Sequence, residues 1–124
     1  MIAYLTLDDL LQIAEHYGLP PVRDVGLLDS AAHRPQTSAF GEDAYPTLDE
    51  KVAVLLESIV RNHPMVDGNK RLGWLATAIL YDTNGVWLEA PDDDAYDLVT
   101  GVAEGRIDYH DSAATLAAWT STST

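Results

Sequence analysis

The sequence predicts an all-α domain, a compact bundle of about six helices with a short flap loop or hairpin, on three observations. Two long apolar stripes recur at helical spacing: Leu48, Val52, Leu55, Leu56, Ile59, Val60, and then Leu72, Leu75, Ala76, Ile79, Leu80. Helix-start signals stand directly before several apolar runs. The extended pieces are only a few residues long. At 124 residues, 47% apolar and 22% charged, the chain fits one domain, residues 1–124, and can bury a real core.

Thr6 with Asp9 three residues on opens a first short helix, whose stripe Leu7, Leu10, Leu11, Ala14 stops at Gly18-Leu19-Pro20-Pro21. Residues 23–32 predict a second short helix, ended by Pro35. Residues 36–46 lose periodicity and read as an ordered loop or short hairpin. Thr47 with Glu50 starts the first long helix, which must end near Asn62-His63-Pro64 because the residue before a proline is pushed out of the α region. The second long helix runs from about Asn69 to Asn84 and closes at Gly85, with Gly73 and Ala76 allowing a neighbour to come close. Val86-Trp87-Leu88 is briefly extended. Asp92, Asp93 and Asp94 favour the start of a helix ending at Gly105. Ser112 is the expected cap of a last helix through Trp119, followed by a tail, residues 120–124, expected to fray.

Twenty acidic against seven basic side chains give a formal charge of −13, which repels a phosphate-rich polymer and argues against nucleic-acid binding. Without cysteine there are no disulfides, thiolate metal sites or thiol nucleophiles. No apolar run approaches the roughly 18 residues that cross a bilayer, so the expectation is a soluble, cytoplasmic domain without membrane contact.

Against that acidic background, three of the seven basic residues, Arg61, Lys70 and Arg71, fall within eleven positions. Arg61, at a helix end, suits the dipole there. Lys70 and Arg71 sit in the first turn of a helix, where the dipole opposes them. An anion docked at that terminus reverses the sign, because it meets free N–H groups, the dipole and both cations together. Gly68 lets backbone approach such a ligand, and phosphate is the obvious one. Asp67 beside it suits Mg²⁺, which takes one or two carboxylates and fills its remaining positions from phosphate and water. His63 supplies an imidazole, a side chain that exchanges protons near neutral pH and so suits general-base work. Base, metal ligand and anion cradle (Gly68, Asn69, Lys70, Arg71) thus lie within nine residues, a pattern that suits moving a phosphate-containing group onto a hydroxyl. Asp67 and Asn69 also suit helix capping, which is compatible with these roles.

His63-Pro64-Met65-Val66-Asp67-Gly68-Asn69-Lys70-Arg71 resembles the signature of the Fic/Doc family, whose Fic branch reads His-Pro-Phe-x-(Asp/Glu)-Gly-Asn-Gly-Arg-x-x-Arg. It is closer to the Doc (death-on-curing) branch: Lys70 replaces the second glycine, and Trp74 stands where Fic enzymes have the distal arginine. Met65 replaces phenylalanine and stays apolar. Residues 26–31, 34–36 and 45–48 also resemble the Doc branch, so the likeness spans nearly the whole chain. The resemblance implies a small helical toxin paired with a Phd-like antitoxin that folds into an apolar groove. It implies Mg²⁺ and ATP as cofactor and substrate, and a translation factor, elongation factor Tu, as target. Fic enzymes commonly transfer AMP, whereas the Doc branch transfers phosphate. Lysine in place of glycine blocks close backbone approach and turns the γ-phosphate toward His63. On this likeness His63 is the base, Asp67 the metal-associated acid, residues 68–71 the phosphate cradle, and the loop from about Ser38 to Tyr45 the flap that aligns the target. The alternatives are an AMP transferase and a catalytically idle partner-binding domain. His16, His33 and His110 read as surface or packing residues, and Trp74, Trp87 and Trp119 as core or interface anchors. Thr100 to Gly105 matches an internal inhibitory pattern of some Fic proteins, but reads more simply as a helix end.

Overall fold

The computed structural model describes residues 1–122. Six α-helices dominate: α1 Leu7–His16, α2 Val25–His33, α3 Leu48–Asn62, α4 Asn69–Thr83, α5 Asp92–Ala103 and α6 Tyr109–Ala118. A 3₁₀ turn, Arg34–Gln36, extends α2. Two small antiparallel pairs complete the described chain, β1 Ser38–Ala39 with β2 Glu42–Asp43, and β3 Val86–Leu88 with β4 Thr120–Thr122.

The centre of the molecule is α3. Its periodicity predicts one buried face, yet every residue from Lys51 to Val60 is buried, because α2, α4, α5, α6 and the 3₁₀ turn surround it. The polar members of that run are satisfied internally, as buried charges must be. Lys51 Nζ reaches Asp43 Oδ2 at 3.1 Å and donates to the Pro35 carbonyl at 3.3 Å. Glu57 takes Arg34 at 2.9 Å and Arg61 at 3.3 Å.

α3 and α4 form an antiparallel hairpin, which brings the C-terminal end of α3 beside the N-terminal end of α4. Gly73 makes the approach possible: a Cβ there would lie 2.7 Å from Val60 Cγ1 and 3.0 Å from Leu56 Cδ1. At the far end the buried Tyr81 hydroxyl donates to Asp49 Oδ1 at 2.6 Å, fixing the register of the pair.

Two expectations are corrected. α6 begins at Tyr109 with Asp108 as its cap, accepting from the Asp111 N–H at 2.9 Å. Ser112 is buried inside the helix, because Asp108 offers a carboxylate three residues before a free N–H. The tail does not fray at residues 120–122. These pair with Val86–Leu88, their N–H and C=O groups completing the small ladder, while the fraying expected of 123–124 lies outside the described residues. Trp87 is 59% exposed on β3, so of the two roles expected for it, core or interface anchor, the core is excluded.

Candidate active site

The site grows from the turn between α3 and α4. Pro64 forbids α3 from continuing, and His63 closes the helix in the left-handed conformation, φ 52° and ψ 59°. That geometry is uncommon for a residue with a Cβ and is held from outside. Arg23 Nε donates to the His63 carbonyl at 2.9 Å, and its Nη2 donates to the same oxygen at 2.6 Å and to the Asn62 carbonyl at 3.2 Å. Arg23 therefore neutralises the terminal carbonyls of α3. Its own N–H and that of Asp24 donate to the Pro64 carbonyl, while the Val66 N–H donates to that of Pro21. The predicted helix over residues 23–32 thus starts only at Val25: Asp24 is its cap, and Arg23 belongs to an extended strip laid against the site turn.

Asn69 shapes the turn from the other side. Its Oδ1 accepts from the Met65 N–H at 2.9 Å and its Nδ2 donates to the Met65 carbonyl at 3.2 Å. Met65 itself is buried beneath. Gly68 caps α4 with φ 80°, against Pro20 Cδ, which a Cβ would meet at 3.3 Å. An L side chain is strained there.

The electrostatics distinguish α4 from every other α-helix. α1, α2, α3 and α6 carry side-chain caps, and α5 has three aspartates in its first turn. α4 has neither a side-chain cap nor an acid in its first turn. It carries Lys70 and Arg71 there instead, both exposed. Among the described residues these are the two basic side chains of seven with no ion pair or hydrogen bond. Arg61, by contrast, donates to the carbonyls of Val102 at 2.8 Å and Ile107 at 2.9 Å, tying α3 to the end of α5. Its role is structural, though the carbonyls it serves are not those of its own helix.

The structure thus brings His63, Asp67, Gly68, Asn69, Lys70 and Arg71 to one turn and one helix terminus, and adds Arg23. That arginine was hidden in the sequence by its distance of forty residues from the carbonyl it holds. Asp67 is exposed, and its Oδ1 accepts from the Gly68 N–H at 2.8 Å. An exposed carboxylate beside an open, positive helix end fits Mg²⁺, which favours few protein ligands and phosphate oxygens.

A family model described as the Fic/DOC family matches residues 4–81, from the N-terminal strip through most of α4. The chain belongs to the Fic/Doc family. Across 121 residues it is 46% identical to a protein named Toxin Doc from Mycolicibacterium smegmatis, covering 94% of this chain and 93% of that one. The matched residues include the turn just described, and the helical architecture around it is the one the sequence predicts.

Two further features lie outside the turn itself. Residues 38–43 form a hairpin whose tip, Phe40 at φ 55° and Gly41 at φ 80°, carries a fully exposed aromatic ring. Thr100 to Gly105 is a helix end: Gly105 has φ 78°, and Glu104 pairs with Arg106 at 2.9 Å. No helix among the described residues is long and apolar enough to cross a membrane.

Proposed function

We propose that this chain is the toxin of a toxin–antitoxin pair and a transferase that moves the γ-phosphate of ATP onto a hydroxyl of a translation factor, elongation factor Tu first among candidates. One observation carries the reading: the N-terminus of α4 has no side-chain cap and no acid, holds two unpaired cations, and stands beside a histidine clamped at the end of α3. In so acidic a chain this is a seat for an anion, and the relative named Toxin Doc directs the reading toward a toxin.

In this account the free N–H groups of the first turn of α4, with Lys70 and Arg71, hold the phosphates and neutralise charge that develops on them during transfer. Asn69 and Arg23 keep the turn in shape. His63 takes the proton from the acceptor hydroxyl, whose oxygen bonds to the γ-phosphorus. The bond from that phosphorus to the β–γ bridging oxygen breaks, and ADP leaves with the electron pair. Mg²⁺, held by Asp67 and phosphate oxygens, supplies charge neutralisation when bound. The hairpin at Ser38–Asp43 is the surface that aligns the acceptor segment. A Phd-like antitoxin segment, folding as it binds an apolar groove between helices, silences the toxin.

Inducing the chain in bacteria tests this reading. Growth arrest is expected, with elongation factor Tu gaining the mass of a phosphoryl group, and both effects vanish for His63→Ala or when a cognate antitoxin is produced. Arrest that persists with His63→Ala contradicts the enzymatic reading. A mass gain of AMP in place of phosphate makes the chain a nucleotidyl transferase.

A further inference from the structure

Residues 36–44 are all exposed, and the hairpin they carry is bonded mainly to itself, through the β1–β2 ladder and the Ala44 N–H, which donates to the Thr37 carbonyl at 2.8 Å. A two-stranded hairpin with no buried face is marginal in water. Its placement against the helices must therefore come from a specific tether. Among the described residues, one ion pair joins residues 38–43 to the helical body: Asp43 Oδ2 accepts from Lys51 Nζ at 3.1 Å.

The lysine end of that contact is the unusual one. Lys51 is 1% exposed. Three segments close around its ammonium: Tyr4, whose ring centroid lies 5.6 Å away, Pro35, whose carbonyl accepts from it at 3.3 Å, and Asp43. Asp43, by contrast, is an exposed residue of β2. Burying an ammonium is expensive, and an apolar side chain of similar volume often serves a fold equally well or better. The first turn of α3 adds an opposing dipole. Stability therefore gives no reason for a lysine here, but position does. A hairpin displaced from the helices takes the carboxylate with it and leaves the cation inside the protein without its counterion, so one placement of the hairpin is favoured over the rest.

We propose that Lys51 is a positioning residue for the acceptor: through Asp43 it fixes the hairpin, and with it the segment that carries the acceptor hydroxyl. The inference rests on the reading of the hairpin as the acceptor-aligning surface and adds what holds that surface in place. Lys51 precedes His63 by more than three turns of α3, about 18 Å by helical rise, so it acts on the reaction only through the hairpin.

Two measurements on the full chain test this role. Steady-state transfer from Mg²⁺-ATP to elongation factor Tu reads acceptor and nucleotide separately. Limited chymotrypsin digestion reads the hairpin itself, because Phe40 at its tip is the chain's single phenylalanine and is fully exposed. Lys51→Met keeps most of the side chain's volume without its charge. It is expected to raise the acceptor KM about tenfold and to speed cleavage after Phe40 by a similar factor, with the ATP KM unchanged and the urea midpoint at or above that of wild type. A lysine that serves only the fold does not give that split. Asp43→Asn, at an exposed position, is expected to raise acceptor KM and cleavage as well, but to lower the midpoint, since Lys51 then stays buried and unpaired. Adding Lys51→Met to it restores the midpoint and leaves the acceptor KM raised. If Lys51→Met leaves the acceptor KM unchanged, whether or not cleavage speeds up, the positioning role is overturned and the transfer reading stands. An unchanged acceptor KM in Asp43→Asn overturns it equally, even if Lys51→Met does not fold. If wild type moves no phosphate onto elongation factor Tu, the acceptor reading itself falls, and this role with it.

Discussion

His63 owes its position to two features, one legible in the sequence and one not. Pro64 announces the end of α3, whereas the guanidinium that clamps the His63 carbonyl comes from Arg23, forty residues away. Pairings that depend on where two distant segments meet leave no local pattern, so Arg23 looked like the first residue of a helix. His63→Ala is expected to lower phosphate transfer about 10²- to 10⁴-fold, the usual contribution of a general base, with Mg²⁺-ATP affinity unchanged in calorimetry. Arg23→Ala leaves His63 in place chemically but frees its backbone. Turnover should fall about 10- to 100-fold at constant ATP affinity, and Arg23→Lys should restore little, because an ammonium cannot reproduce the fork to two carbonyls. Unchanged turnover in Arg23→Ala, measured by steady-state kinetics, would show the clamp to be dispensable.

Among the elements, the α3–α4 pair decides whether the site exists. Both helices and their ends were legible from apolar spacing, the Thr47 cap, Pro64 and Gly85, since these are local signals. Burial of α3 on all sides was not. Lys51 and Glu57 look like solvent-facing residues until Asp43, Arg34 and Arg61 are found around them. Likewise the last helix is capped by Asp108 and not by the expected Ser112, which is buried inside the helix. Gly73→Ala is expected to destabilise the fold by about 1–3 kcal/mol in urea denaturation, because Val60 and Leu56 occupy the space of the new methyl group. The Tyr81–Asp49 contact adds a pH dependence at the opposite end of the pair. Burial, then the hydrogen bond to Asp49, raise the Tyr81 phenol well above its ordinary value of 10.0. The folded state therefore keeps a proton that the unfolded state loses, so the contribution is fully present below about pH 10 and declines as pH rises beyond it. Denaturation midpoints should fall more steeply above about pH 10 in wild type than in Tyr81→Phe. Identical slopes would remove Tyr81 from the account.

For the whole molecule, charge was the most informative property of the sequence. In a chain of net charge −13, two cations left unpaired at one helix end are what the proposed anion seat rests on. The motif around His63 was readable because its chemistry lies within nine consecutive residues. The central claim is that this terminus holds ATP with its γ-phosphate toward His63. Supplying the purified chain with Mg²⁺, elongation factor Tu and ATP labelled at either the α or the γ position tests it most directly. The account predicts label on the protein from the γ position alone, lost in His63→Ala. Label from the α position would contradict it.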